Sequence, residues 1–194
     1  MLNSHLLVID LETTGTDPNN HQILQIGAAS INPYSLDVSH PWSCYVAPES
    51  WNHVSQEALD INRLDRRFIE ANGVPLSHAL TELSNLVDQD TKPCAWGINF
   101  EYPFLKTAFD REGIRFPFSY RWIEARTVAW MYTTLTGPGS MPKLNEFVEY
   151  LGLTFVGREH DAGSDAYNTA IAITEVLKRL ASSDARGHAQ SLIG

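Results

Sequence analysis

Two carboxylates, two positions apart, close an apolar run near the start of the chain: Leu6-Leu7-Val8-Ile9-Asp10-Leu11-Glu12. On a strand, side chains alternate between faces, so Asp10 and Glu12 point the same way. Two negative charges beside a low-dielectric core are costly unless cations or hydrogen bonds compensate them. A hard divalent ion compensates well, because Mg²⁺ takes carboxylate oxygens and keeps part of its water shell. A strand that simply ends in solvent would carry two ordinary surface acids, and the pair alone leaves both readings open. A second group is His160-Asp161-Ala162-Gly163-Ser164-Asp165-Ala166. His160 stands before a helix and Asp165 in or near its first turn, where the helix dipole by itself favours an acid. Glu101 follows a short strand and adjoins Pro103, a position that an N-terminal helix charge would also occupy.

The elements around these residues read as follows. His5 to Asp10 and Ile23 to Ile31 are short apolar runs bounded by turn residues, as buried strands are, with 13–20 (TTGTDPNN) as the turn between them. Trp42 to Ala47 is the third strand of a meander. Helical spacing then takes over, at Leu76, Ala79, Leu80, Leu83 and Val87 behind Pro75, after one or two short helices in 55–72. Cys94 to Ile98 reads as a strand and Pro103 as the opening of a helix. Further helices are expected around 128–135, at 144–151 between Pro142 and Gly152, and along Ala166, Ala170, Ile173, Leu177 and Leu180, with Asp161 or Ser164 as its cap. Strands first, then alternating helices and strands, predict an α/β domain with a mixed sheet.

The chain has 194 residues, 43% of them hydrophobic, enough for one domain with a sizeable core. That domain is expected over 1–180, with the small, polar segment 181–194 as a mobile tail. Lys and Arg number 14 against 23 Asp and Glu, a formal charge of −9. Such a balance excludes broad, non-specific duplex binding, which needs a cation for each phosphate contact. It leaves room for a short strand end if carboxylates hold metal. Small basic groups (Arg63, Arg66 and Arg67; Lys106, Arg111, Arg115, Arg121 and Arg126) fit either phosphate contacts or solvated helix faces. Cys44 and Cys94 form no CxxC pattern, which argues against a disulfide framework or structural zinc. With no signal-like start and no long apolar run, a cytoplasmic protein without a membrane partner is expected.

The string Val8-Ile9-Asp10-Leu11-Glu12-Thr13-Thr14-Gly15 closely resembles the first motif of the DEDDh 3′-to-5′ exonucleases, the group of RNase T and the polymerase III proofreading subunit. Phe100-Glu101-Tyr102-Pro103-Phe104-Leu105 resembles the second motif, and His160 to Asp165 the third. The resemblance spans roughly 5–180. It implies a ribonuclease H-like fold: a central mixed five-stranded sheet, a three-stranded antiparallel meander plus parallel strands, flanked by helices. It also implies two Mg²⁺ or Mn²⁺ ions held by Asp10, Glu12, Glu101 and Asp165, and His160 as the base. Thr13, Thr14 and Gly15 would hold the terminal sugar. Phe100 would stack on a base or belong to the core, and His53 and Leu59 fall where relatives touch the terminal nucleotides. The implied partner is nucleic acid, as single-stranded 3′ ends or short oligonucleotides. Family members are often dimers, so a homodimer is compatible with the resemblance.

Two departures from the family pattern stand out. The second motif usually carries Asp, and this chain has Glu101, whose oxygens reach about 1.5 Å further, a large step against Mg²⁺–oxygen distances near ~2.1 Å. The His-Asn pair that often precedes that motif aligns with Trp96-Gly97, leaving Asn99 as a candidate substitute. Glu101 then either keeps its role with adjusted geometry or weakens the second ion, leaving a nucleic-acid-binding module. His160 favours the first, since a pure binder needs no base.

Overall fold

The structure is a computed structural model and describes residues 4–191. Five strands form one sheet in the order β3-β2-β1-β4-β5. β1 (Leu6–Thr13) pairs antiparallel with β2 (Ile23–Ile31), and β2 with β3 (Trp42–Tyr45). On its other side β1 runs parallel to β4 (Lys92–Ala95), which runs parallel to the short β5 (Ile123–Glu124). The meander and the mixed sheet are as the residue pattern predicts.

The period-two pattern of β1 divides the core. Leu7, Ile9 and Leu11 face one side, against Ala79, Leu80 and Leu83 of α3 (Leu76–Asn85) and Phe104, Leu105, Ala108 and Phe109 of α4 (Ile98–Arg111). Leu6 and Val8 face the other, with Ala29, Ile31 and Cys94, against Ala166, Ala170 and Ile173 of α7 (Ala162–Ser191). Small residues on α7 let the helix lie close on the sheet. Burying each Leu, Val or Ile stabilises the fold by about 1.5–3 kcal/mol. On the α7 side lie α5 (Ala125–Thr136) and α6 (Leu144–Tyr150), whose Ala129, Phe147 and Val148, with Leu151 just past α6, pack on Ala172 and Val176 of α7. The short helices α1 (Gln56–Asn62) and α2 (Arg66–Asn72) close the far side over Leu24, Leu64 and Ile69.

Several boundaries differ from expectation: β1 runs on to Thr13 rather than ending at Asp10, and β3 stops at Tyr45 rather than Ala47. β4 covers Lys92–Ala95 rather than 94–98, and α4 begins at Ile98, with Pro103 inside it rather than at its start. Pro103 removes one N–H and crowds the carbonyl of Asn99, a cost kept small because Asn99 is exposed to water. Glu101 therefore lies in the first turn of α4, as an N-terminal helix charge would. The segment expected as a tail is helical in its backbone as far as Ser191, and residues 192–194 lie outside the described residues.

Candidate active site

The even-numbered face of β1 runs Leu6, Val8, Asp10, Glu12. Its first half meets the apolar side of α7 and its second half meets that helix's first turn, where Asp165 lies. β4 stops at Ala95, paired only as far as Val8 of β1, so the carboxylates project past the end of the parallel pair. A chain turn at Trp96-Gly97 then starts α4 and brings Glu101 to the same crevice. Open α/β sheets place their ligands at this end of the strands.

Four carboxylates thus converge from three separate elements. Burial, followed by the charges of Asp165, Glu101 and Glu12, pushes Asp10 well above the usual carboxylate range. Burial and the charges of Asp165 and Asp161 raise Glu12 to about 8, although Arg158 pulls the other way. Burial also raises Glu101 to about 8, against its own backbone N–H and the Arg126 charge. Asp165 rises to about 7, again chiefly by burial, partly offset by the His160 backbone N–H. Among the described residues nothing donates to Glu101 Oε2, although Glu101 is only 5% exposed. A buried carboxylate oxygen without a donor costs on the order of 1–3 kcal/mol, more when charged. The donor set therefore fits a hard divalent cation, which would supply the missing partner.

His160 reaches the group through an unusual backbone. Its φ is 58°, a left-handed conformation, and its N–H donates to Asp165 Oδ2 at 3.0 Å. One donor atom from each of Glu12, His160 and Asp165 lies within 4.8 Å of the others. Asp10, Glu12, Glu101, His160 and Asp165 line one cleft of about 700 Å³. Thr13, Gly15 and Phe100 line it too. Phe100 is half-buried and packs on Phe104, with ring centroids 4.9 Å apart, so it serves core and cleft together.

Other expected contacts fall elsewhere. Thr14 is fully buried, and its Oγ1 accepts from the Gln22 N–H at 2.9 Å, so its hydroxyl braces the turn instead of facing the cleft. Leu59 packs beneath α1 with Leu24, Leu64 and Ile69. His53 is exposed, and the α1 side of the cleft is formed by Ser55, Ala58, Ile61 and Asn62. Asn99 is likewise exposed, and Trp96 takes the wall. Of the basic residues, Lys106 pairs with Asp110, Arg66 with Glu70, and Arg121 lies over Tyr120. Only Arg126 of these groups faces the cleft, joined there by Lys143.

Three positioning residues are not evident in the sequence. Gln25, buried in β2, donates from Nε2 to Asp161 Oδ2 at 2.9 Å, and its Oε1 accepts the Ala162 N–H at 3.3 Å. Asp161 Oδ1 in turn accepts the Ser164 N–H at 3.0 Å, capping α7. Gly27 faces Asp10 in the β1–β2 register, and a Cβ there would lie 2.0 Å from the Ala162 carbonyl. Asn62, fully buried, donates to the Thr13 carbonyl at 3.2 Å and steadies the strand end. Their signals were a glutamine and a glycine inside the apolar string ILQIGAASI, since glycine in a strand often marks close backbone approach.

Comparison with known proteins agrees with this geometry. A family model for the RNase T exonucleases matches residues 7–173. The chain is 22% identical to 3′-5′ exoribonuclease 1 of Rattus norvegicus over 190 residues, covering 90% of this chain and 53% of the relative. It thus spans about half the length of that relative. Among solved structures, it overlays the nuclease domain of 3′hExo, a DEDDh family member bound to rAMP, with a TM-score of 0.73 and 20% identity, covering 91% of this chain and 92% of the other. It overlays E. coli exonuclease I in complex with a dT13 oligonucleotide with a TM-score of 0.77 and 19% identity, covering 93% and 43%. With the matched region containing all three acidic motifs, the chain belongs to the RNase T family of DEDDh-type exonucleases.

Proposed function

We propose that this chain is a metal-dependent 3′-to-5′ exonuclease that shortens single-stranded ends or short oligonucleotides and releases nucleoside 5′-monophosphates. The observation that carries the reading is the convergence of Asp10, Glu12, Glu101 and Asp165 on one cleft, with a buried Glu101 oxygen that lacks a partner. Relatives with bound rAMP or a dT13 strand support the substrate class. Asp10, Glu12 and Asp165 would hold the ions, and Glu101, with its extra methylene, would complete the second position. Two such ions, when bound, stabilise charge on the entering and leaving oxygens of a phosphodiester.

The chain's own groups do the rest. His160, exposed at the mouth and anchored to Asp165 through its backbone, would accept the proton of the attacking water at an imidazole nitrogen. Imidazole is the side chain most often given this task at neutral pH. Thr13 and Gly15 would meet the terminal sugar along the cleft wall, and Phe100 would offer a ring to a base, a contact tolerant of sequence. Arg126 and Lys143 line the same wall and would meet phosphate.

End-labelled single-stranded RNA and DNA, incubated with Mn²⁺ or with chelator and resolved by length, test the reading. A metal-dependent ladder shrinking from the 3′ end is expected. Tight binding without any product would instead favour the weakened module that Glu101 suggests, and neither binding nor product would sink both.

A further inference from the structure

Glu12, His160 and Asp165 lie close enough to share an ion, yet their donors are of two kinds. The carboxylates offer hard oxygens. The imidazole offers nitrogen, which Mg²⁺ seldom takes and which Zn²⁺ or Co²⁺ bind readily. We infer that the cleft has a second mode of ion binding, in which one ion of the zinc class is held jointly by Glu12, Asp165 and His160. That donor set differs from the all-carboxylate set proposed for the hard ions.

Three observations support it. First, the His160 ring has no hydrogen bond among the described residues and is exposed, whereas Nε2 of His5 is bonded to Thr91 Oγ1 and Nδ1 of His21 accepts the Asp17 N–H. Second, the left-handed backbone at His160 and its N–H bond to Asp165 Oδ2 tether the imidazole beside the carboxylate, while no donor to Asp165 Oδ1 is described. Third, the three donors already lie within 4.8 Å of one another. Ligands around a tetrahedral ion at ~2.0–2.1 Å stand roughly 3.3–3.5 Å apart. The required closure is at most about 1.5 Å, within the reach of rotation by an exposed ring. Two carboxylates and one imidazole leave the fourth position open, as mixed His/carboxylate zinc sites do.

The consequence rests on the proposed nuclease reading: an imidazole bound to an ion cannot accept a proton, so zinc-class ions would arrest the enzyme that Mg²⁺ supports. The binding mode itself is testable without turnover. The full chain, stripped of metal, is titrated with Co²⁺ and its visible absorption followed; Zn²⁺ affinity is read by competition with a chromophoric chelator. His160→Asn is the chosen variant because Asn tolerates the left-handed backbone and carries no imidazole, with His160→Ala beside it. One Zn²⁺ per chain is expected, with affinity at least tenfold weaker in both variants, while the Mg²⁺-induced thermal shift changes little. Equal Zn²⁺ affinity in wild type and variants would overturn the inference, since the ion would then rest on carboxylates alone. Equal turnover of labelled oligonucleotide with Zn²⁺ and Mg²⁺ would also overturn it, because His160 would still be free. If no ion supports hydrolysis yet Zn²⁺ affinity depends on His160, the nuclease reading fails and the zinc mode stands.

Discussion

At the start of β1, His5 bonds to Thr91 Oγ1 at 2.9 Å through Nε2 and lies 3.5 Å from Asp88 Oδ2 through Nδ1. Asp88 is itself exposed; desolvation is the largest single influence and raises it, but bonds from Thr91 and the Asp90 backbone, with the charge of His5, together hold it below its ordinary value. At the other end of the same strand, acids from β1, α4 and α7 are buried together, raised in pKa, and short of one donor. Both ends hold a histidine and carboxylates. One cluster satisfies itself and fastens β1 to the segment before β4; the other stays unsatisfied until something binds. A polar cluster that leaves a buried oxygen unpaired is costly for the folded chain alone, and a bound cation would relieve that cost.

The comparison breaks hardest at His160. His160→Asn is expected to lower turnover by about 10²–10⁴-fold, the range of a lost general base, with thermal stability near wild type. Initial rates on a labelled oligonucleotide measure it. A loss below tenfold would remove His160 from proton transfer and leave it an ordinary exposed residue.

Next in size is the pH dependence of stability without metal. Glu12 and Glu101 titrate near about 8 and Asp165 near about 7 in the folded chain, against roughly 4 when unfolded. Between those values the folded chain binds more protons than the unfolded one, so stability falls as pH rises. The loss is complete above the folded values and absent below the unfolded ones. A penalty of a few kcal/mol in a chain of this size lowers Tm by on the order of 10 °C. Melting in chelator at pH 5.5 and pH 8 should show that drop, and Mg²⁺ should restore stability at pH 8 but hardly at pH 5.5. Asp88, held low, contributes in the opposite sense, with stability lost only as pH falls through its folded value. A flat profile in chelator would mean the two ends do not differ in kind.

Much of this contrast was legible in the residues. Period two alone places Asp10 and Glu12 on one face, and the capping pattern around Asp161 sets Asp165 in the first turn of α7. What hid was long-range. Glu101 could be read from its position only as an N-terminal helix charge, and the start of α4 was misplaced because Pro103 resembles an opening helix residue, whereas α4 starts at Gly97-Ile98 without any side-chain cap to announce it. Thr14 belongs to the motif, yet the turn directs its hydroxyl to Gln22, a contact between residues that spacing does not pair. Gln25 and Asp161 are 136 positions apart, and nothing local marks them as partners.

Gly27 sharpens the comparison from beneath. Gly27→Ala puts a methyl group into the Ala162 backbone at the start of α7, which must shift together with His160 and Asp165. Overpacking of this kind costs about 1–3 kcal/mol, readable by urea denaturation. The same shift should weaken Mg²⁺ binding and turnover together, while leaving the His5 end untouched. Loss of stability with full ion affinity would show that Gln25 and the cap of α7 hold the site without close backbone packing.

The smallest effect belongs to His5. In His5→Ala, Thr91 Oγ1 still donates to Asp88 Oδ1 at 2.9 Å and accepts the Asp88 N–H at 2.8 Å, so neither residue is left alone. The loss is one hydrogen bond and one solvent-screened contact to an exposed carboxylate, a fall in Tm of at most a few degrees. From His5 to Asp10 the extended strand rises roughly 17 Å at ~3.3 Å per residue, and the core residues between them are close-packed and apolar. Turnover should therefore stay within twofold of wild type. A larger fall in rate, with only a few degrees lost in Tm, would show that the fastening at one end of β1 sets the position of the carboxylates at the other.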